Sequence, residues 1–339
     1  MEKGKSVKVC VTGGSGYLGS WLIKSLLTRG YTVHATLRNL VDADGRKRLK
    51  LFEADIYSPQ EFDEAIKGCE YVLHVATPFL HKENTKYKDT TEATIASVRC
   101  IADSCLLSKT VKRLVYTSSV MAASPLSEDG SGYKPQMDEL CWTPLGLSFD
   151  YGNEFLLDYV KSKTQSDKEI LRYNNIGSSE NGVDELEVVS LCSGLVGGET
   201  ILPYVCSSLP CVLSLIKGDE FSLNSLRFMQ ELMGCIPVVH VEDVCDAHIL
   251  CIEKGSLKGW FLCVAESVMI EDIVNCYGEI CPEFHIGEGF KSGPIGRSKC
   301  ELSKLRKEGF EFKYRLKQIL KDSVKCAKRL GFLQEFVQL

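Results

Sequence analysis

A glycine-rich turn near the N-terminus constrains the fold more than any other feature of this 339-residue chain. It reads Thr12-Gly-Gly-Ser-Gly-Tyr-Leu-Gly19 and lies between a short apolar strand, Val7–Val11, and a segment with helical periodicity, Leu18–Thr28. Glycines at this spacing permit a tight turn, close approach of the backbone to a phosphate, and close packing of helix on strand. Free N–H groups at the start of the helix favour anions. The motif therefore predicts a dinucleotide-binding strand–helix–strand unit.

The residues that follow alternate between strand and helix patterns. Short apolar runs typical of buried strands lie at Tyr31–Leu37, Leu49–Phe52, Tyr71–Ala76 and Arg113–Tyr116, and a long helical pattern at about Glu92–Leu107 separates the last two. The segment Ser58-Pro-Gln-Glu61 is a capping-box sequence, which predicts a helix that ends at Gly68. We therefore predict an α/β fold with a Rossmann-type, doubly wound parallel sheet and a smaller mixed α/β substrate lobe.

The pattern becomes less regular beyond Ser119. A helix is predicted from about Gly152 to Tyr173, and strands are predicted at Leu186–Cys192 and near Pro237–Val241 and Trp260–Val264. These elements predict a dinucleotide-binding domain over residues 1–197 that is completed by residues from about 236 to 265. A substrate-binding lobe would then consist of residues 198–235 and 266–339.

Composition and charge exclude several classes of protein. The net charge is −5, and the 13 basic and 5 acidic residues from Lys291 to Leu339 alternate with apolar residues, which is typical of solvated faces rather than of a nucleic-acid-binding arm. Most of the 16 cysteines lie in apolar runs, where Cys acts as a small hydrophobe. We find neither a signal-peptide core nor a membrane-spanning run. We expect reduced thiols, a cytoplasmic location, and neither nucleic-acid nor membrane partners.

The residue at the end of the second strand distinguishes the two nicotinamide dinucleotides. An NAD site places an acidic residue there to bind the ribose 2′-hydroxyl, but this chain has Arg38. A guanidinium can bind a 2′-phosphate with two hydrogen bonds, whereas a carboxylate would repel it. The sequence therefore predicts NADPH/NADP+ as the cofactor, with Arg46 or Lys47 as a second phosphate contact. The alternative is that Arg38 only ends a strand.

Three side chains are candidates for proton transfer and carbonyl binding. Tyr159 and Lys163 are four residues apart in a predicted helix, so they share one face. A nearby ammonium lowers the pKa of a phenol from its usual value of about 10 toward neutral pH. A hydroxyl of Ser118 or Ser119, at the end of a predicted strand, can hydrogen-bond a carbonyl oxygen, although both could be ordinary strand-end serines.

The histidines form no metal-binding pattern. His34, His74 and His248 lie in apolar settings at spacings that resemble no metal site. His240 is predicted to be a buried residue just before a helix capped by Glu242 or Asp243. We therefore expect no bound metal. Asp138, Glu139 and Trp142 are predicted to fix a loop over the active site.

These motifs together resemble the extended short-chain dehydrogenase/reductases, and more closely the plant dihydroflavonol 4-reductase, anthocyanidin reductase and vestitone reductase family. Besides the glycine turn, the resemblance rests on His74-Val-Ala-Thr-Pro78, Tyr159-x-x-Ser-Lys163 and Val239-His-Val-Glu-Asp243. It extends from about Val7 to Phe332. The segments Cys141–Leu145 and Cys192–Gly198 further resemble the NADPH HC-toxin reductase-like branch, which reduces a ketone on an epoxide-bearing cyclic peptide.

The resemblance implies NADPH-dependent reduction of a ketone on a plant-type small molecule, with Ser119, Tyr159 and Lys163 as the catalytic residues. Reduction of a flavonoid, either a dihydroflavonol ketone or an anthocyanidin, is the alternative, and a nucleotide-sugar epimerase or a non-catalytic NADP-sensing regulator is more distant. The implied cofactor-binding residues are Thr12, Gly13, Gly16, Tyr17, Leu18, Gly19, Arg38, Asp55, Ile56, Val75, Ala76, Thr77, Tyr159, Lys163, Ser193, Val196 and Ser208. Relatives of this kind are often monomeric, so we expect a monomer or weak dimer.

Two departures from the family bear on the substrate. Ser124 stands where dihydroflavonol reductases usually have Asn, which weakens the case for a flavonoid. Phe155-Leu-Leu-Asp-Tyr159 replaces the Asn-Trp-Tyr-Cys-Tyr signature of cinnamoyl-CoA reductases, which argues against an acyl-CoA substrate.

Overall fold

The structure, a computed structural model, describes residues 7–38, 47–78, 86–175, 186–294, 298–300 and 303–333. Its strands are β1 (Lys8–Thr12), β2 (Thr32–Leu37), β3 (Leu49–Glu53), β4 (Tyr71–His74), β5 (Arg113–Ser119), β6 (Glu187–Ser193), β7 (Leu195–Gly197), β8 (Ile236–His240), β9 (Gly259–Cys263) and β10 (Glu266–Val268). Its α-helices are α1 (Tyr17–Thr28), α2 (Asp63–Ile66), α3 (Thr90–Ser108), α4 (Glu154–Leu171), α5 (Leu209–Lys217), α6 (Glu220–Met233), α7 (Val241–Glu253), α8 (Ile270–Ile280), α9 (Lys304–Lys307) and α10 (Leu316–Arg329).

The chain divides into two compact units. The first unit comprises Met1–Ser118, Lys161–Leu191 and Cys245–Trp260, and the second comprises Ser119–Val160, Cys192–Val244 and Phe261–Leu339.

The larger sheet has seven strands in the order β3-β2-β1-β4-β5-β6-β9. The pairs of β1 with β2 and β4, of β2 with β3, and of β4 with β5 are all parallel. The order reverses between β1 and β4, as in doubly wound sheets, where ligands bind beyond the carboxyl ends of the strands. The predicted α/β, Rossmann-type fold is confirmed.

The core of the first unit follows from its strand sequences. Val9, Cys10 and Val11 of β1 are fully buried, which is typical of parallel strands covered on both faces. Helix α3 begins where the Asp89 side chain accepts a hydrogen bond from the Glu92 N–H at 2.7 Å. Its apolar face, which includes Ile101, joins the apolar cluster on the sheet.

Arg113, at the start of β5, is the largest fully buried side chain of the first unit. Its guanidinium pairs with the Glu187 carboxylate and donates to the backbone carbonyls of Cys251, Lys254 and Gly255. These three carbonyls lie at the C-terminal end of α7 and just beyond it, where helix carbonyls lack intrahelical partners. Arg113 therefore fastens the end of α7 to β5.

The predicted capping box at Ser58–Glu61 is wrong. Ser58 makes no side-chain cap, and the segment begins as a 3-10 helix, Pro59–Phe62, before the short α2. The Glu61 carboxylate accepts the N–H of Asp55 at 2.8 Å instead of the N–H of Ser58. The carboxylate that the local pattern assigned to the helix start therefore binds a backbone N–H that follows β3 instead.

The second unit contains a three-stranded sheet in the order β10-β8-β7. Strand β7 is parallel to β8, and β10 is antiparallel to it. The buried carboxylate of Glu139 accepts the N–H groups of Leu262 and Lys304, so it fixes its loop within this unit. The Asp243 carboxylate, in the first turn of α7, accepts the N–H groups of residues 313 and 314.

Cysteine pairing and helix length complete the description of the fold. All 16 cysteines are free, and most are buried. Across the described ranges, no helix has the length and apolar character needed to cross a membrane.

Candidate active site

The glycine turn is held to the second strand by Thr36. Gly13 donates its N–H to Thr36 Oγ1 at 3.3 Å, and Gly14 donates to the Thr36 carbonyl at 2.8 Å. Gly13 has a φ of 69°, a left-handed conformation that favours glycine, and its carbonyl accepts the N–H of Gly16 at 3.0 Å. The turn thus has one defined shape at the carboxyl end of β1.

Two glycines of the turn have no room for a side chain. A Cβ on Gly19 would lie 2.2 Å from the Gly13 carbonyl oxygen, and a Cβ on Gly13 would lie 3.0 Å from Ala76 Cα. Helix α1 begins at Tyr17 with no side chain capping its N-terminus. The close packing and the uncapped helix start fit a bound pyrophosphate.

Thr12 joins the turn to the segment that follows β4. Its Oγ1 accepts the N–H groups of Val75 and Ala76, both at 3.0 Å, and lies 2.9 Å from Nδ1 of His74. Burial, and then the charge of Lys163, lower the pKa of His74 to about 3, so this imidazole is neutral at physiological pH. The predicted residues Thr12, Val75 and Ala76 therefore lie together.

Arg38 is exposed just beyond the end of β2. Val33 pairs with Leu49 and Leu37 with Glu53, so the start of β3 lies about 13 Å along the strands from the end of β2. Lys47 precedes β3, so it lies at the opposite end of the strands from Arg38. Arg46, the other candidate for the second phosphate contact, lies outside the described residues.

Asp55 and Ile56 follow β3, at the same carboxyl end of the strands as Arg38. The Asp55 carboxylate accepts the N–H of Tyr57 at 3.1 Å, which shapes the turn after the strand. Ile56 is buried and joins the apolar core of the first unit.

Lys163 is buried in α4, with only 3% of its surface exposed. Its Nζ donates to Thr77 Oγ1 at 3.0 Å and to the Thr117 carbonyl at 3.2 Å, and it lies 3.4 Å from the hydroxyl of Tyr116. The first unit therefore joins Lys163 to the segment after β4 and to the end of β5. Tyr159, in the second unit, precedes Lys163 by four residues in the same helix.

The two serines at the end of β5 make different hydrogen bonds. Ser118 is buried, and its hydroxyl donates to the Asp167 carboxylate at 2.6 Å. The Asp167 carboxylate also accepts the hydroxyl of Ser190 on β6. Ser119 is partly exposed, and its Oγ accepts the N–H of Met121 at 3.2 Å. That acceptor role leaves the Ser119 hydroxyl proton able to bind a carbonyl oxygen.

Leu18 lies in the first turn of α1, and three further predicted residues lie in the second unit. Ser193 ends β6, Val196 lies in β7, and Ser208 precedes α5. The Ser208 hydroxyl donates to the Val196 carbonyl at 2.8 Å, so these two residues lie together.

No group of His, Cys, Asp and Glu that could hold a metal occurs among the described residues. His240 is buried and stacks on Tyr314 with ring centroids 3.9 Å apart, and its Nδ1 accepts the N–H of Glu242. Burial lowers the pKa of His240.

Sequence reasoning missed three residues that support the site. They are Thr36, which holds the glycine turn, Tyr116, which lies beside Lys163, and Asp167, which binds Ser118. The position of Asp167, four residues after Lys163, would place it on the same helix face and was the one available signal. Thr36 and Tyr116 are ordinary strand residues in the sequence, and only the strand arrangement reveals their contacts.

The chain is similar to plant reductases over nearly its whole length. It is 34% identical to an anthocyanidin reductase from Vitis vinifera, covering 96% of each chain, and 32% identical to a vestitone reductase from Medicago sativa, covering 98% of this chain and 100% of that protein. The crystal structure of vestitone reductase from alfalfa matches with a TM-score of 0.73 at 30% identity, covering 96% of this chain and 99% of that one.

A family model described as the NAD dependent epimerase/dehydratase family matches residues 9–260. The resemblance to plant anthocyanidin, dihydroflavonol and vestitone reductases is thereby confirmed, whereas placement in the HC-toxin reductase-like branch stays a prediction. With its glycine turn, its parallel sheet and its full-length relatives, the chain belongs to the NAD dependent epimerase/dehydratase family, among the reductases of that family.

Proposed function

We propose that the protein is an NADPH-dependent oxidoreductase that reduces a ketone of a plant-type small molecule. The observation that carries this proposal is the buried ammonium of Lys163, held by Thr77 and Thr117 in the helix that also contains Tyr159. Removing an ammonium from water costs several kcal/mol, so a chain rarely buries one without a use for it.

The described residues support a bound NADPH. We assign its pyrophosphate to the turn from Gly13 to Gly19 and its 2′-phosphate to Arg38. When bound, NADPH supplies a hydride. Asp55, Ile56 and Val75–Thr77 are proposed to line the adenosine half, and Lys163 to bind the nicotinamide ribose. Ser193, Val196 and Ser208 are proposed for the nicotinamide end.

Three side chains are proposed to bind the carbonyl and to supply the proton. Ser119 donates a hydrogen bond from its Oγ to the substrate carbonyl oxygen, which stabilises the negative charge that develops there. Tyr159 gives its phenolic proton to the same oxygen. Lys163 lowers the pKa of Tyr159 by favouring the phenolate, so that the phenol can act as an acid near neutral pH.

A flavonoid is the second candidate substrate, because anthocyanidin reductases and a dihydroflavonol 4-reductase are among the relatives. A noscapine synthase from Papaver somniferum is 33% identical over 96% of the chain, so this level of identity fits more than one substrate class. Ser124 argues for a different ketone. It is buried, donates to the Leu232 carbonyl and accepts the N–H of Leu126, so its hydroxyl serves the fold of the second unit.

Location and assembly are also proposed. Free thiols throughout the chain support a reducing, cytoplasmic compartment. We propose a monomer or weak dimer that needs no protein, nucleic-acid or membrane partner for activity.

The proposal is tested by following NADPH oxidation at 340 nm and identifying the products. The substrates are dihydroquercetin, cyanidin, vestitone and HC-toxin. We expect the wild type to reduce at least one ketone, and Tyr159→Phe to lower kcat about 1,000-fold because the proton donor is lost. NADPH affinity should stay within about twofold of wild type, since the phenyl ring remains.

Tyr71 begins β4, at the end of that strand away from the candidate site. Tyr71→Phe is therefore the matched control and should retain full activity. Turnover that survives in Tyr159→Phe would refute the mechanism. Reduction of dihydroquercetin, or of cyanidin at a C=C bond, without reduction of HC-toxin would replace the proposed substrate by the flavonoid alternative.

A further inference from the structure

Tyr116, in the middle of β5, is a buried phenol beside Lys163. Its hydroxyl lies 3.4 Å from Lys163 Nζ and 2.9 Å from Ser166 Oγ, and the same Nζ lies 5.1 Å from the centroid of its ring. We propose that Tyr116 is a positioning residue, whose oxygen accepts a hydrogen bond from the Lys163 ammonium and holds it where it can act on Tyr159. This inference rests on the proposed function.

The direction of the hydrogen bonds follows from Ser166. The Ser166 hydroxyl donates its proton to the Lys163 backbone carbonyl at 3.1 Å. Its oxygen is therefore left to accept, so the proton between Ser166 and Tyr116 comes from Tyr116. The phenolic oxygen then directs a lone pair at Nζ, which only donates. Tyr116 is thus set as an acceptor for the ammonium.

The charged and titratable groups around Lys163 have partners of their own. His74 on β4 is neutral, because burial and Lys163 itself lower its pKa to about 3. In α4, Asp167 accepts hydroxyl protons from Ser118 and Ser190. His248 on α7 binds the Thr117 hydroxyl. Tyr159, also in α4, is the phenol that Lys163 is proposed to act on.

Burial makes each acceptor of Lys163 matter. An ammonium carries three donors, and water cannot replace a lost acceptor at a side chain that is 3% exposed. Without the Tyr116 oxygen, the charged form of Lys163 is less stable and its position less fixed. The phenolate of Tyr159 then gains less from Lys163, so the pKa of Tyr159 rises.

A merely structural role for Tyr116 is the alternative, because its ring also belongs to the apolar core. Tyr173 provides the matched control. It is buried in the same unit, and its hydroxyl donates to Asp103 at 2.8 Å rather than to any group of the site. Tyr116→Phe and Tyr173→Phe each remove one buried hydroxyl, so the loss of a hydrogen bond from the fold is common to both.

The experiment compares these two variants with the wild type in three measurements. These are the pH profile of kcat/KM on the ketone that the wild type reduces fastest, the NADPH dissociation constant by fluorescence, and the Tm. For Tyr116→Phe we expect the alkaline limb to move up by about half a pH unit, kcat to fall about fivefold and the NADPH dissociation constant to rise about threefold. Tyr173→Phe should change only the Tm.

Each outcome either supports or overturns the proposed role of Tyr116. An active wild type whose Tyr116→Phe variant behaves like Tyr173→Phe overturns the role of Tyr116 and leaves the proposed function standing. A wild type that binds no NADPH overturns both. If the wild type binds NADPH but reduces no ketone in the panel, equal NADPH dissociation constants for the two variants overturn the role of Tyr116, and a weaker affinity confined to Tyr116→Phe supports it.

Discussion

The two units differ in what their candidate site residues contact. In the first unit, Thr12, Thr36 and Lys163 are all fixed by hydrogen bonds to backbone or buried side chains. In the second unit, several large apolar side chains face solvent, as at Leu140 (77% exposed) and Phe221 (66% exposed). A fixed frame suits a constant cofactor, whereas exposed apolar side chains suit a substrate that varies among relatives.

The exposed hydrophobic residues make this contrast quantitative. Of the seven large hydrophobic side chains that are exposed in the described ranges, six lie in the second unit. These six are Leu140, Leu145, Leu157, Ile201, Tyr204 and Phe221, and the seventh, Leu107, lies in the first. If the contrast is functional, substitutions in the first unit should alter cofactor use and substitutions in the second should alter substrate use.

Among the substitutions that compare the two units, the largest effect on NADPH binding is expected at Gly19. A Cβ there would lie 2.2 Å from the Gly13 carbonyl oxygen, so Gly19→Ala must distort the turn. We expect the NADPH dissociation constant to rise about 100-fold, measured by fluorescence titration, equivalent to about 2.7 kcal/mol. Gly278→Ala, at a helix position with open space, is the control and should bind NADPH normally. Normal binding by Gly19→Ala would show that the turn does not hold the cofactor.

Cofactor preference comes next. Arg38→Asp replaces the proposed 2′-phosphate contact by a repulsive charge, so kcat/KM for NADPH should fall about 100-fold while that for NADH changes about threefold or less. Lys47→Asp makes the same change of charge at the opposite end of the strands. It should leave the ratio of kcat/KM for NADPH to that for NADH within about twofold of wild type. Steady-state kinetics with both cofactors test this pair. A similar effect of the two substitutions would remove the special role of Arg38.

The smallest effect is expected in the second unit. Phe221→Ala removes an exposed ring from the first turn of α6 and should lower kcat/KM for the ketone about fivefold, equivalent to about 1 kcal/mol of apolar contact. The KM for NADPH should not change. Leu107→Ala, which removes an even more exposed side chain from the first unit, should affect neither constant. A loss confined to NADPH in Phe221→Ala would contradict the proposed division of labour.

The sequence predicted the first unit well because its motifs demand particular backbone geometry. Gly13 has the left-handed conformation, and Gly19 the close approach, that the spacing of glycines indicated. Strand and helix positions followed from periodicity, since parallel strands buried on both faces give unmistakable apolar runs. The confirmed family resemblance depends on the same local patterns.

The remaining features depend on contacts that no local sequence pattern indicates. Glu61 accepts the N–H of Asp55, six residues before it, rather than capping its own helix. Tyr116 and Ser166 are 50 residues apart and meet only through the packing of α4 on the sheet. The register in which β3 pairs with β2 places Lys47 and Arg38 at opposite ends of the strands. This register, too, cannot be predicted from the local sequence.

Arg113 has a consequence for how the first unit is made. Its buried guanidinium depends on the carbonyls of Cys251, Lys254 and Gly255, which are encoded after most of the second unit. A nascent chain that ends before residue 251 lacks those acceptors, and a buried charge without its partners destabilises a fold by about 3–5 kcal/mol. The cofactor-binding unit, although it begins at the N-terminus, therefore cannot finish folding during early synthesis. Its completion waits until about three quarters of the polypeptide has been synthesised.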